Sequence, residues 1–163
     1  MSKQEAETSI IAFELVLKNE DLQERWIRRI VAYIIDFITV LIPITVIFIV
    51  ISLLLQMFTL LTGMKVLKFP FFDIFLYPFI VGTTQMFYSA YFENLKGKTF
   101  GKHLMNLKTK TLNQEKPKID VALLRNLTKI HPLIVILDML AGLATKGNPN
   151  QKLTDRIAKT TVT

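Results

Sequence analysis

The chain has 163 residues, of which 51% are hydrophobic, and its mean hydropathy is +0.39. Twenty Lys and Arg residues outnumber thirteen Asp and Glu residues, which gives a formal net charge of +7. Because the chain has no cysteine and only two histidines, a disulfide scaffold, a thiol nucleophile and a cysteine-ligated or histidine-rich metal centre are excluded. The sequence therefore predicts no cofactor and no metal site.

The N-terminal head, residues 1–24, contains a segment with a period of two. Apolar side chains at Ile11, Phe13, Leu15 and Leu17 alternate with other residues, and this alternation is typical of a strand. We expect the head to be cytoplasmic, and residues 25–163 to form a membrane domain.

Two long apolar runs predict membrane spans at about residues 30–61 and 69–92. The hydrocarbon core of a bilayer is crossed by about 20 helical residues. The first run has Asp36 and Gln56 as its strongly polar residues, and the second has Asp73 and Gln85. A third apolar helix, at about residues 127–145, is interrupted by charged residues and a proline, so it either crosses the membrane or re-enters on the same side.

Two further segments read as strands, Leu107–Leu112 and Ile157–Thr163, because both are β-branched and alternating. A lone strand exposes unpaired backbone groups, so we expect these segments and the head strand to pair with one another. That pairing favours a re-entrant third helix. The predicted fold class is an α-helical integral membrane protein with small cytoplasmic β-strand elements.

The distribution of basic residues predicts the orientation. Eight Lys and Arg residues lie between residues 93 and 125, whereas the loop after the first span has two. The positive-inside rule therefore places the head and the long loop in the cytoplasm of a multi-pass cell-membrane protein. Lys96, Lys98 and Lys102 are predicted to lie near lipid headgroups. The chain contains none of the usual nucleic-acid-binding motifs, so membrane lipids explain its basicity better.

Asp36 is the most informative charged residue, because a charge inside a membrane helix costs about 2.5–3.5 kcal/mol even on lenient scales. It shares a helical face with Arg29, but the two lie roughly 10 Å apart along the axis. We expect its partner to come from another element, with Arg125, Lys129 or His131 as candidates. Asp36 is then either part of a structural link between helices or a carboxylate on an ion pathway. The same two alternatives apply to Asp138.

Four short motifs resemble the RDD family of small membrane proteins. They follow the family's order along the chain: Arg28–Asp36, Gly97–Lys102, Arg125–Leu127 and Leu153–Arg156. The arginine and the first aspartate of the family name map to Arg29 and Asp36, and the second aspartate maps to Asp138 or Asp155. Thr154 stands where many members carry His.

The resemblance implies a membrane protein without an assigned activity, and for some members cation/proton antiport. No catalytic constellation is present, so we expect no enzyme. The first hypothesis is a scaffold, assembly or regulatory component that forms a homo-oligomer or binds a membrane protein partner. The alternative is transport of a monovalent cation or proton through the intramembrane carboxylates.

Overall fold

The structure is a computed structural model, and it describes residues 16–63, 76–145, 148 and 150–163. These residues form six α-helices, one 3-10 helix and two strands. In chain order they are α1 (Glu20–Thr62), α2 (Tyr77–Lys96), α3 (Phe100–Leu104), β1 (Thr109–Thr111), α4 (Ile119–Asn126), the 3-10 helix (Leu127–Ile130), α5 (Pro132–Ala144), α6 (Leu153–Ile157) and β2 (Thr160–Val162).

Helix α1 contains the first predicted span and extends beyond it at its N-terminus. The side chain of Asn19 caps the helix by accepting from the backbone N–H groups of Asp21 and Leu22, and Gly63 ends it with φ +67°. At about 1.5 Å per residue the 43 residues are about 64 Å long, roughly twice the hydrocarbon thickness of a bilayer. The helix therefore has room for a span and for a long segment outside it.

The two halves of α1 have different surroundings. Near its start, Trp26 is buried with Leu22 and Val16, and Met139 and Leu143 of α5 pack on them. Farther along, Val50, Leu54 and Leu61 are exposed, and the most apolar part of the helix is almost wholly uncovered. A long exposed apolar surface is unfavourable in water, which indicates that this half contacts lipid.

Helix α2 covers part of the second predicted span, since residues 69–75 lie outside the described part of the chain. Among the described residues, α1 is the one unbroken helix that is long and apolar enough to cross a membrane. One face of α2 carries the small and polar residues Gly82, Gln85 and Ser89, which are buried, and α2 packs against the 3-10 helix. A Cβ on Gly82 would lie 1.8 Å from the backbone oxygen of Ile130, so the backbones touch at this point.

The third apolar segment is a broken helix. The axis bends by 112° between α4 with its 3-10 extension and α5. The break falls at His131, whose Nδ1 accepts from the backbone N–H of Leu133, and Pro132 begins α5. His131 thus caps the start of α5 at the break. The two helical pieces have the combined length and hydropathy of one membrane span, but the bend separates them.

Strands β1 and β2 form a two-stranded antiparallel sheet in which Lys110 faces Thr161. Strand β1 lies within the predicted strand segment Leu107–Leu112, and β2 lies within the predicted segment Ile157–Thr163. The head strand predicted around residues 11–17 lies mostly outside the described residues, but residues 16–18 are helical. Leu107 and Val162 pack with Ala32, so the sheet is held against α1.

Candidate functional site

Asp36 lies on α1 where α3 crosses it, and it is only 1% exposed. Its carboxylate accepts from the Thr99 hydroxyl at 2.5 Å and from the Gly101 backbone N–H at 2.8 Å. The crossing is close because Gly101 has no side chain, and a Cβ there would lie 2.2 Å from the backbone oxygen of Ala32. Tyr88 of α2 donates a long bond of 3.5 Å. Asp36 therefore links α1 to the turn that begins α3.

A second group of charges lies between α2, α3, α4 and α6. Glu93 forms an ion pair with Lys102, and its other oxygen is 3.4 Å from Nη1 of Arg125. Nη2 of Arg125 is 2.9 Å from Oδ1 of Asp155. Asn126 donates to Glu93 at 2.8 Å. Because Glu93 and Asp155 are both buried, the single guanidinium of Arg125 compensates two carboxylates.

A third group joins α5 to the start of α6. Asp138 accepts from Lys152 Nζ at 2.6 Å, from the Thr154 hydroxyl at 2.6 Å and from the Thr154 backbone N–H at 2.8 Å. Thr128 of the 3-10 helix adds a bond of 3.1 Å. These donors satisfy both oxygens of the carboxylate.

Two cations are held by neutral acceptors. Arg29 donates to the backbone oxygens of Asn150 and Val162, at 2.6 Å each, and its guanidinium stacks over Trp26. Lys129 is buried and donates to Ser89 at 2.7 Å. Arg29 therefore anchors the C-terminal strand to α1, and Lys129 anchors the 3-10 helix to α2.

We call these nine residues the charge network: Arg29, Asp36, Glu93, Lys102, Arg125, Lys129, Asp138, Lys152 and Asp155. Seven of them, all except Glu93 and Asp138, line a cavity of about 50 Å³ between α1, α4 and α5. A volume of this size holds a few water molecules or one small ion. Tyr33, Arg29 and Asp36 line it from one face of α1, and Arg125 lines it from α4.

The structure corrects the expected partners of Asp36. None of the described basic residues forms an ion pair or hydrogen bond with it, and its donors are a hydroxyl and a backbone amide instead. Arg125 pairs with Glu93 and Asp155, and Lys129 contacts Ser89. His131 caps α5. The sequence did not predict this hydroxyl donor, because Thr99 lies beside Lys98 in the Gly97–Lys102 motif and a threonine there carries no local signal of burial.

Lys102 was predicted at the lipid headgroups, and the structure contradicts that prediction. It is 8% exposed and donates to Glu93 and to the Thr109 hydroxyl. Lys96 is exposed and Lys98 is partly exposed, so their headgroup contact stays a prediction. Glu93 itself was missed, although it continues the polar face of α2 four residues after Ser89 and eight after Gln85.

Burial is the largest cause that lowers the pKa of Lys102, and together with the neighbouring Arg125 cation it brings this pKa to about 7 against the opposing effect of Glu93. Its ammonium thus releases a proton more readily than an exposed lysine does. Among the described residues, no group of three or more His, Asp and Glu side chains is arranged to hold a metal ion.

No curated protein and no solved structure matches the chain. The family model described as the RDD family matches residues 24–159, nearly the whole chain and all nine members of the charge network. Together with the exposed apolar half of α1, this indicates a membrane protein. The chain belongs to the RDD family.

Proposed function

We propose that the protein is a non-catalytic membrane component that scaffolds, assembles or regulates a partner, which is a second copy of this chain or another membrane protein. The observation that carries this proposal is that Asp36 and Asp138 are already satisfied by donors of the protein itself. A carboxylate that must exchange protons or cations during transport needs an open coordination position, whereas these carboxylates hold elements together.

The proposed architecture has its long basic loop and its C-terminal tail on the cytoplasmic side. Two observations support this arrangement. The antiparallel pairing of β1 with β2 requires both strands to lie on one side of the membrane. The 112° bend at His131 favours a re-entrant path for the segment between them. The cytoplasmic assignment itself follows from the basic residues of the loop.

The alternative function is ion transport, with cation/proton antiport as the specific form. The cavity supports this alternative, because Asp36 and Asp155 both line it. A transporter of this size needs an oligomer to enclose a path, since two or three helices cannot do so alone.

Reconstitution separates the two functions. The full chain is inserted into liposomes with imposed pH, Na⁺ or K⁺ gradients, and ion flux is compared with that of protein-free liposomes. The scaffold proposal predicts no flux above this background. Gradient-driven flux that disappears in Asp36→Asn, while the variant stays monodisperse, would overturn the scaffold proposal and establish transport.

A further inference from the structure

The cavity inside the charge network has hydrogen-bond donors that no protein atom uses. Nε of Arg125, Nε of Arg29 and the hydroxyl of Tyr33 are buried without a hydrogen-bond partner among the described residues, and all three residues line the cavity. Arg125 is only 2% exposed. Buried donors are normally satisfied, so these groups indicate a bound species that supplies acceptors.

The charge balance indicates the sign of that species. The charge network contains five cations and four carboxylates. Lys102, Arg125 and Lys152 each form an ion pair, whereas Arg29 and Lys129 contact only neutral acceptors. Asp36 is the one carboxylate of the network that contacts only neutral donors. When Lys102 is protonated, at pH values below its pKa of about 7, the network therefore carries one excess positive charge in a place with little solvent.

A negatively charged hydrogen-bond acceptor accounts for both the unpaired donors and the excess positive charge. One monovalent anion cancels the excess charge and accepts from several N–H and O–H donors. A water molecule accepts hydrogen bonds but leaves the charge uncompensated. Asp155 Oδ1 is also without a hydrogen bond, but its ion pair with Arg125 already balances its charge. The volume of about 50 Å³ admits a halide and excludes a large organic anion.

We propose that the cavity between Arg29, Tyr33 and Arg125 binds one small monovalent anion of the halide class, and that the bound anion stabilises the packing of α1 on α4 and α5. This site is independent of whether the protein is a scaffold or a transporter. Arg29 and Tyr33 are four residues apart on α1, so one helical face presents both donors to Arg125 of α4.

The test uses the full chain in detergent at pH 6, where Lys102 is mostly protonated. Sodium gluconate is replaced stepwise by sodium chloride or bromide at constant ionic strength, and the midpoint of thermal unfolding is measured. A bound anion raises the midpoint with the logarithm of halide concentration, because ligands that bind only the folded state stabilise it by mass action. Equal midpoints in chloride and gluconate would show that the cavity holds water alone and would overturn the proposal.

Two variants locate the effect. Tyr33→Phe removes one donor and keeps the ring, so the apparent halide affinity should fall about tenfold or more, the loss expected for one hydrogen bond to a charged group. Lys129→Gln removes the excess charge and keeps a donor for Ser89, so the halide dependence should disappear. Tyr91→Phe and Lys108→Gln, at exposed positions, are the matched controls. A halide dependence that survives in Tyr33→Phe unchanged would place the ion elsewhere.

Discussion

Asp36 illustrates, for a single residue, how a carboxylate in an apolar helix is accommodated without a direct ion pair among the described residues. A hydroxyl and a backbone N–H replace the hydration shell, and the missing side chain of Gly101 lets the amide approach. Hydrogen bonds to an ionised group are each stronger than neutral ones. Asp36 therefore stabilises the crossing of α1 and α3 as long as both donors remain.

We expect Asp36→Leu to reduce stability much more than Asp36→Asn. Leu leaves the Thr99 hydroxyl and the Gly101 N–H without acceptors, at about 1–3 kcal/mol for each buried group, whereas Asn keeps the volume and one acceptor. Monodisperse yield in detergent and the unfolding midpoint measure this difference.

Adding Arg125→Leu to Asp36→Leu should lower the yield further, because Arg125 compensates Glu93 and Asp155. If the second change restored the yield, Arg125 would be the partner of Asp36 after all. Equal stability of Asp36→Leu and the parent would mean that the carboxylate faces water.

Lys102 gives a pH prediction. Its pKa falls from 10.5 to about 7 on folding, so the unfolded chain binds more protons between these values. The free energy of unfolding should therefore rise with pH from about 7 towards 10.5, by at most about 1.4 kcal/mol per pH unit, and fall as pH decreases through this window. Chemical denaturation at several pH values measures this slope.

Lys102→Met should flatten the slope, whereas Lys108→Met, at an exposed position six residues away, should leave it unchanged. The comparison of slopes does not depend on the overall stability of either variant. An equal slope in the parent and in Lys102→Met would contradict the lowered pKa of Lys102.

At the scale of elements, helix packing depends on small residues where backbones touch. Gly82 of α2 meets the backbone of Ile130, and Gly142 of α5 meets the backbone of Lys152. Small residues at such contacts allow the close approach that interhelical hydrogen bonds require, and Lys129 makes one to Ser89 beside the first contact. The 3-10 helix is therefore held against α2 by shape and by a buried polar bond together.

Gly82→Ala should destabilise the fold by about 1–3 kcal/mol or more, because a methyl group there overlaps the backbone oxygen of Ile130 and neither backbone can move freely. Thr84→Ala, exposed on the other side of α2, is the control and should change stability little. Thermal unfolding in detergent compares the two. A Gly82→Ala variant as stable as the control would mean that α2 and the 3-10 helix are not in contact.

At the scale of the whole molecule, the two-stranded sheet joins the segment after α3 to the C-terminal segment. β1 follows α3, β2 ends the chain, and Lys108 and Thr163 exchange backbone hydrogen bonds beside the sheet. Because Arg29 of α1 holds the backbone oxygen of Val162, the tail is fixed to the first helix as well. The polar elements therefore assemble at one end of α1, and the apolar half extends away from them.

This arrangement predicts labelling by a membrane-impermeant maleimide. The chain has no cysteine, so Lys108→Cys, Thr163→Cys and Thr62→Cys each report one position. We expect the first two to react only from the cytoplasmic side and the third only from outside, measured in vesicles of both orientations. External labelling at Lys108 would reverse the orientation, and labelling of Lys108 and Thr163 from opposite sides would contradict the sheet.

The sequence by itself determined that this is a membrane protein with an RDD-family resemblance, and it located strands β1 and β2. Continuous apolar runs and period-two alternation are local properties, and they depend little on the rest of the chain. Asp36 and Asp138 could be singled out because ionised side chains within apolar runs need compensation. Arg125 was a candidate partner of Asp36, and Asp155 was identified only by the resemblance to the RDD family.

Only the tertiary structure decided which groups provide that compensation. Thr99 lies 63 residues from Asp36, and Lys152 lies 14 residues from Asp138, beyond the end of α5. Lys102 has the sequence context of a surface lysine, yet it is buried because α3 folds back against Glu93. Which donor compensates each buried carboxylate depends on how the helices cross and on where a glycine allows two backbones to approach. These are properties of the packed molecule and not of any one segment.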